Sequence, residues 1–177
     1  MRFFVSPSPK NSPQTYSEAM GSKVILPEQI EQKVAQIRQG GKTIATLNGS
    51  FDLMHAGHLE MIYQARQQAD VLILALNTDR SIQQYKSRLR PIIPLEYRLQ
   101  MVAALEWVDY VTWFEETDPR HILSKIRPNV HVNGAEYGEN CVEAEVVKGC
   151  GGRIHIVQLV PGLSTSHIIK KIVDTCA

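Results

Sequence analysis

The stretch Thr46–Ala69 limits what this chain can fold into more than any other part of the sequence. It continues a β-branched run that begins at Thr43, passes Gly49 and Gly57, and then takes on the apolar spacing of a helix. A strand that turns tightly into a helix directs free backbone N–H groups and the positive end of the helix dipole toward one point. Such a point attracts phosphate. The sequence therefore predicts a strand–turn–helix unit with an anion site at its turn.

Two histidines, His55 and His58, lie at this turn. Their imidazoles can donate to phosphoryl oxygens on which negative charge builds. A glycine at position 57 lets the backbone approach a ligand because it has no side chain. The alternative is a metal site with HxxH spacing, but no Cys, His or carboxylate stands out in the sequence as a third ligand. We interpret the histidine pair as a phosphate site.

Apolar runs alternate with helical patterns along the whole chain. Strands are predicted at Thr43–Leu47, Val71–Leu76, Tyr110–Phe114, Val130–Val132 and Ile154–Leu159. This alternation indicates an α/β fold, with a Rossmann-like, doubly wound, five-stranded parallel sheet and right-handed crossovers. Polar segments follow four of these strands, at 48–58, 77–98, 133–137 and 160–166. Because ligands bind at the carboxyl ends of strands in such sheets, we expect these segments to converge on one site.

Several motifs carry a resemblance to a known family. Gly49-Ser50-Phe51-Asp52, followed by His55, Gly57 and His58, resembles the GxFDxxHxGH signature of the cytidylyltransferase-like nucleotidyltransferases. Four further segments resemble the heptose 1-phosphate adenylyltransferases within that family: Lys86–Ile92, Pro94–Arg98, Asn133–Tyr137 and Gly162–Ser166. The resemblance extends from about Leu26 to the C-terminus. It implies the HxGH nucleotidyltransferase fold and transfer of AMP from ATP to a sugar 1-phosphate, giving ADP-heptose and pyrophosphate when the sugar is heptose.

The resemblance also implies a role for each matched residue. Catalysis falls to His55, His58 and Lys86, with the lysine bridging the α-phosphate and the incoming phosphate. Nucleotide binding falls to Asn48, Gly49, Ser50, Phe51, Gly57, Asn133, Gly134, Tyr137, Ser164 and Thr165. Substrate binding falls to Asp52, Asn77, Asp79, Arg90 and Arg98. The family more often has a lysine where this chain has Asn133. Polyphosphate chemistry implies Mg²⁺ as the cofactor, although the sequence identifies no ligands for it.

Two of these groups also have simpler interpretations. The basic loop that contains Lys86 and Arg90 could be a solvated surface. Arg98, however, lies one turn into a helix that begins at Pro94, and we expect it to be half buried and to need an anionic partner. Ser164 and Thr165 could serve only as helix caps, but a cap and a phosphate site use the same geometry.

Composition and charge exclude several classes of function. Nineteen basic and eighteen acidic residues leave a formal charge of +1, so no overall positive field favours nucleic acid. No apolar run approaches the ~20 residues of a membrane span. The three cysteines lack metal-type spacing and indicate reduced thiols in a cytoplasm. The partners that the resemblance implies are ATP and a sugar 1-phosphate, with a second copy of the chain in a homodimer as a further possibility.

The N-terminal segment differs in composition from the rest. Residues 1–22 combine Pro, Ser, Asn and Gln with few aliphatic side chains, which predicts a disordered tail. Phe3-Phe4-Val5 is too short for the apolar region of a signal peptide. The nucleotidyltransferase domain is then predicted to occupy residues 23–177.

Two other functions remain open at this stage. One is a CTP-dependent cytidylyltransferase that acts on glycerol 3-phosphate or a similar alcohol phosphate. The other is a catalytically silent nucleotide-binding module. The approach to Gly162, Leu159–Pro161, carries no cation, whereas cytidylyltransferases of that type commonly have an arginine there. In lacking this cation, the chain resembles the heptose 1-phosphate adenylyltransferases.

Overall fold

One parallel sheet with helices on both faces makes up the fold. A computed structural model describes residues 15–138, 140–158, 162 and 164–176. The strands are β1 (Ile44–Gly49), β2 (Val71–Asn77), β3 (Tyr110–Phe114), β4 (Val130–Gly134) and β5 (Arg153–Val157). The helices are α1 (Tyr16–Gly21), α2 (Ile30–Gln39), α3 (Ala56–Arg66), α4 (Asp79–Tyr85), α5 (Leu95–Ala103), α6 (Arg120–Ile126), α7 (Ala144–Gly149) and α8 (Thr165–Cys176). A short 3-10 helix, Pro27–Gln29, leads into α2.

The core lies on both sides of the sheet. All seven residues of β2 are buried, as expected for a parallel strand covered on both faces. Leu72 and Leu74 belong to the apolar cluster that contains α3 and α5, whereas Ile73 belongs to the cluster of α2 and α6. This alternation follows the two-residue period of a strand. The predicted doubly wound α/β fold is confirmed.

Strand order places the crevice where ligands bind in such sheets beside β1. The order is β3-β2-β1-β4-β5, and all pairs are parallel. The chain builds outward from β1 through β2 and β3 on one side, then through β4 and β5 on the other. The reversal lies between β1 and β4, where Leu47 is in register with Val132. Ligands bind at such a reversal, so the segments that follow β1 and β4 are placed to form a site.

Several predicted strand boundaries differ from the structure. β1 spans Ile44–Gly49 rather than Thr43–Leu47, and β4 ends at Gly134 rather than Val132. β5 ends at Val157; Leu159, the predicted end, lies outside the described residues. Among the described helices, none is both long and apolar enough to cross a membrane.

Part of the predicted disordered tail, residues 1–22, is helical in the structure. Residues 1–14 lie outside the described residues, but Tyr16–Gly21 forms α1. Thr15 and Glu18 cap this helix reciprocally, and the Tyr16 hydroxyl donates to Gln100 Oε1 on α5 at 2.7 Å. Composition alone missed the Thr-x-x-Glu capping box, which is a local helix signal independent of aliphatic content.

Candidate active site

Two adjoining cavities open at the carboxyl ends of the central strands. The larger, of about 670 Å³, lies over the ends of β1, β2 and β4. The smaller, of about 270 Å³, lies between the starts of α3 and α8. They share the lining residues His58, Met61, Lys86, Glu136 and Thr165. The two cavities therefore form one continuous site. A more open depression beside α6 and α7 contains none of the predicted site residues.

Most of the predicted site residues lie in these cavities. The larger cavity is lined by Asn48, Gly49, Ser50, Phe51, Asp52, His58, Asn77, Lys86, Asn133, Gly134, Tyr137 and Thr165. The smaller cavity adds His55, Gly57, Arg90 and Ser164. Asp79 and Arg98 line neither cavity. The fold thus brings together segments that are more than 100 residues apart in sequence, as between His58 and Thr165.

The rings of the two histidines lie in contact, tilted by 42°, at the start of α3. Their ring centroids are 4.0 Å apart, and the backbone N–H of His55 donates to His58 Nδ1 at 3.3 Å. Because Nδ1 accepts, the neutral ring carries its proton on Nε2. Burial, together with the charges of His55 and Lys86, lowers the pKa of His58 to about 4. His58 is therefore neutral at pH 7, and its Nε2–H is the donor that the ring can offer to a ligand.

His55 has a buried polar atom that a ligand could satisfy. Its Nδ1 is shielded from solvent and has no hydrogen-bond partner among the described residues. Burial also lowers the pKa of His55. Buried polar atoms are nearly always paired in folded proteins, so an unpaired one beside a cavity indicates a place where a ligand group binds.

The turn before the histidines has a strained backbone. Phe51 adopts φ 47°, a left-handed conformation that is uncommon for a residue with a side chain. The glycine two residues earlier makes room for it, since a Cβ on Gly49 would lie 3.3 Å from the Phe51 ring. Strain of this kind concentrates at functional sites, where the surrounding contacts hold it in place.

Arg98 supplies those contacts from beneath the turn. It is fully buried, and its guanidinium donates to the carbonyl oxygens of Ser50 at 2.6 Å, Asn77 at 2.9 Å and Ile93 at 2.9 Å. It also forms an ion pair with Asp79 at 2.7 Å. The predicted half-burial was therefore wrong, because α5 turns this side chain inward with its apolar face. In this structure Arg98 and Asp79 fasten the segments after β1 and β2 and do not face the cavity.

Asp52 holds the basic loop against the same turn. Its buried carboxylate accepts from Arg90 Nε at 2.7 Å and from the backbone N–H groups of Ile92 and Ile93 at 2.8 and 2.9 Å. Burial by itself would raise the pKa of Asp52, but these N–H donors and the Arg90 charge outweigh it, and the pKa is lowered. The Asp52 carboxylate is thus already engaged, while Arg90 borders the smaller cavity.

Lys86 stands where the two cavities meet. Its Nζ donates to Ser50 Oγ at 2.8 Å. Burial and the nearby Arg90 charge lower the pKa of Lys86, although the Asp52 carboxylate opposes this effect. An anion bound beside Lys86 would raise this pKa again, because a nearby negative charge stabilises the protonated amine.

The start of α8 closes the smaller cavity. Ser164 Oγ accepts from the backbone N–H of His167 at 3.1 Å, so Ser164 caps the helix as its sequence suggests. Thr165 Oγ1 donates to the Leu53 carbonyl at 3.4 Å and ties α8 to the histidine turn. The cap and the cavity wall are the same residues.

Sequence reasoning missed five lining residues after β4, namely Glu136, Asn140, Cys141, Val142 and Glu143. Glu136 lines both cavities, and a Cβ on Gly134 would collide with its carboxylate. Cys141 and Glu143 line the larger cavity beside Asn133. Glu136 adjoins a predicted motif and could have been found from it. Cys141 and Glu143 belong to a segment without a recognisable pattern, and the fold alone brings them to the site.

Histidine burial makes stability depend on pH. The pKa values of His58 and the fully buried His131 are both lowered to about 4, chiefly by burial. Both residues therefore bind more protons when unfolded, and stability falls as the pH drops from about 6.5 toward 4. We expect each to cost on the order of 1–2 kcal/mol at pH 5 relative to pH 7.5. Urea unfolding at both pH values measures the loss.

The variant His131→Gln isolates one of the two contributions. It should show a smaller difference in unfolding free energy between pH 7.5 and 5 than the parent chain. His121→Gln, at an exposed position on α6, is the matched control and should keep the full difference. Equal pH dependence in all three proteins would contradict the assignment to His131.

Comparison with known proteins is consistent with this site. The sequence model of the cytidylyltransferase-like family matches residues 46–171. The chain is 39% identical over 154 residues to the bifunctional protein HldE of Syntrophotalea carbinolica, covering 86% of this chain and 31% of that protein. It is 41% identical over 157 residues to HldE of Methylobacillus flagellatus, covering 88% of this chain and 32% of that protein. The chain thus spans about a third of the length of these relatives.

Solved structures support the fold. A lipopolysaccharide core biosynthesis protein from Thermoplasma volcanium superposes with a TM-score of 0.53 at 22% identity, covering 68% of this chain and 98% of that one. A pantoate-beta-alanine ligase from Francisella tularensis superposes with a TM-score of 0.55 at 15% identity, covering 86% and 79%. Since the family model matches well over half of the sequence, the chain belongs to the cytidylyltransferase-like family.

Proposed function

We propose that this chain is an adenylyltransferase that transfers AMP from ATP to heptose 1-phosphate, giving ADP-heptose and pyrophosphate. The observation that carries the proposal is the neutral His58 donor beside Lys86 in a cavity at the strand-order reversal. The family membership supports nucleotidyl transfer. The choice of sugar rests on the motifs between Lys86 and Arg98 and on the similarity to HldE proteins.

The reaction is a direct displacement at phosphorus. An oxygen of the sugar phosphate attacks the α-phosphorus of ATP and forms a new phosphoanhydride bond. The bond from that phosphorus to the α,β-bridging oxygen breaks, and pyrophosphate leaves with the bonding electrons. The protein's task is positioning and stabilisation of charge. His58 Nε2–H and the His55 ring would donate to α- and β-phosphate oxygens as charge builds on the leaving group.

The remaining residues would each contact a different phosphate group. Lys86, at the junction of the cavities, would bridge the α-phosphate and the incoming phosphate. Ser164, Thr165 and the N–H groups at the start of α8 would hold the β- and γ-phosphates. Arg90, held by Asp52, would meet the phosphate of the acceptor. Arg is suited to this position because its planar fork binds phosphate in a fixed geometry.

The site fits a magnesium ion that enters with the nucleotide. No group of three or more metal-binding side chains converges within the described residues. Mg²⁺ needs none, because it is commonly held by one or two carboxylates together with substrate phosphates. Glu136, whose carboxylate lines both cavities, would hold such an ion. When bound, the ion would neutralise phosphate charge.

Pyrophosphate release tests the proposal. The assay compares ATP and CTP with heptose 1-phosphate and glycerol 3-phosphate as acceptors. We expect at least ~100-fold higher kcat/KM for ATP than for CTP with heptose 1-phosphate, since a site that bonds one base leaves its polar groups unpaired with another. Efficient turnover of CTP with glycerol 3-phosphate would favour the cytidylyltransferase alternative. No pyrophosphate from any pair would indicate a silent nucleotide-binding module.

A further inference from the structure

A buried carboxylate at the start of α7 lines the larger cavity but not the smaller one. Glu143 is 5% exposed and lines this cavity with Asn133, Cys141 and Val142. The Asn133 amide Nδ2 donates to Glu143 Oε2 at 3.2 Å. Asn133 is itself buried at the end of β4, so the sheet fixes the position of the amide and, through it, the carboxylate.

No cation of the described residues pairs directly with this carboxylate, although Arg120 is near enough for the charge of Glu143 to raise its pKa. None of the ion pairs between described residues involves Glu143. His131, which lies close enough to feel the charge of Glu143, stays neutral at pH 7 because burial dominates its titration. A carboxylate has about four acceptor positions, and a buried one is costly unless N–H or O–H donors fill them. Glu143 therefore suits a ligand that brings a donor into the cavity.

The charge of Glu143 decides which part of a nucleotide can lie beside it. A phosphate would be repelled, and the donors for phosphate, His58 and Thr165, lie where the larger cavity joins the smaller one, which Glu143 does not line. The Val142 side chain beside Glu143 offers an apolar surface to a flat nucleobase. The Cys141 thiol hydrogen-bonds to Glu143 and fills only part of the acceptor capacity of the carboxylate. The triphosphate of one ATP would then lie toward the smaller cavity and its base in the larger one.

We propose that Glu143, oriented by Asn133, accepts a hydrogen bond from the exocyclic amino group of adenine and so selects the base. This inference rests on the proposed use of ATP. The position is well suited to the task, since a buried acceptor left without its donor disfavours every ligand that lacks one. Asn133 acts through Glu143 and is a positioning residue.

Calorimetric titration of the full chain tests the proposal without requiring turnover. The ligands are ATP, purine riboside triphosphate, which lacks the amino group, and 2′-deoxy-ATP, each with magnesium. The parent chain should bind ATP roughly 10- to 100-fold more tightly than purine riboside triphosphate, the value of a hydrogen bond to a charged acceptor. Glu143→Leu should bring this ratio close to one. Glu143→Gln, which keeps a neutral acceptor, should give an intermediate ratio.

The control is Glu145→Leu, an exposed position on α7 outside the cavity, which should keep the parent ratio. An unchanged ratio in Glu143→Leu would overturn the proposal. So would a parent chain that discriminates against 2′-deoxy-ATP but not against purine riboside triphosphate, since Glu143 would then hold the ribose. If Glu143→Leu does not fold, the parent chain and Glu143→Gln still give the comparison. Tight ATP binding without pyrophosphate release would refute the proposed function and leave the assignment of Glu143 standing.

Discussion

Replacing His58 by alanine should lower kcat by roughly 10²–10⁴-fold, because a preorganised donor to a developing charge acts mainly on the transition state. His58 is neutral, and its Nδ1 is occupied by the backbone N–H of His55, so Nε2–H is already oriented before the proposed substrate, ATP, would bind. Such a donor acts on the transition state more than on bound ATP. The KM for ATP should therefore change much less than kcat. Steady-state kinetics with pyrophosphate detection measures both.

The same variant should retain its fold. His58 lies at the surface of the cavity, and its loss should move the thermal midpoint at pH 7.5 only slightly. His121→Ala, an exposed histidine on α6, is the matched control and should keep the parent kcat. A His58→Ala protein with normal kcat would remove the histidine from the mechanism. A variant whose Tm and kcat fell together would point to a structural role instead.

The sequence predicted the sheet because the strands carry their own signals. β2 and β3 are apolar runs with turn residues at their ends, and the predicted ranges differ from the observed ones by one residue or none. The histidine turn was equally predictable, since the glycines and histidines needed there are contiguous in the sequence. Both features are determined by residues close together in the sequence, so local sequence patterns predict them.

The contacts of long side chains were not predictable in this way. The charges of Asp52 and Arg98 suggested substrate binding. The Asp52 carboxylate instead accepts from Arg90, Ile92 and Ile93. The Arg98 guanidinium donates to three backbone carbonyls. Which group a guanidinium reaches depends on the packing of several elements together. Glu143 shows the converse case, in which a residue without a motif reaches the cavity because β4 and α7 place it there.

Arg98 thus connects the stability of the fold to the geometry of the site. The carbonyls that it binds belong to Ser50 after β1, Asn77 at the end of β2 and Ile93 in the basic loop. Each of these segments carries cavity residues. Without the guanidinium, one buried and two partly buried carbonyl oxygens and the Asp79 carboxylate would lose their donor. Groups shielded from water that lose a partner are destabilising.

We therefore expect Arg98→Met to lower the unfolding free energy by about 3–5 kcal/mol, the cost of removing one partner from a buried charged network. For a chain of this size that corresponds to a fall in Tm of roughly 6–20 °C. The Tm of Arg98→Lys should lie between those of the parent chain and Arg98→Met. An ammonium keeps the charge but cannot reach all four acceptors at once. Thermal unfolding at pH 7.5 measures the three proteins, with Arg88→Met, an exposed position in the same basic loop, as the control. If Arg98→Met kept the parent Tm and raised only the KM for the sugar phosphate, Arg98 would be a substrate ligand. The loss of stability is the expected result because every donor group of Arg98 already has an acceptor within the protein.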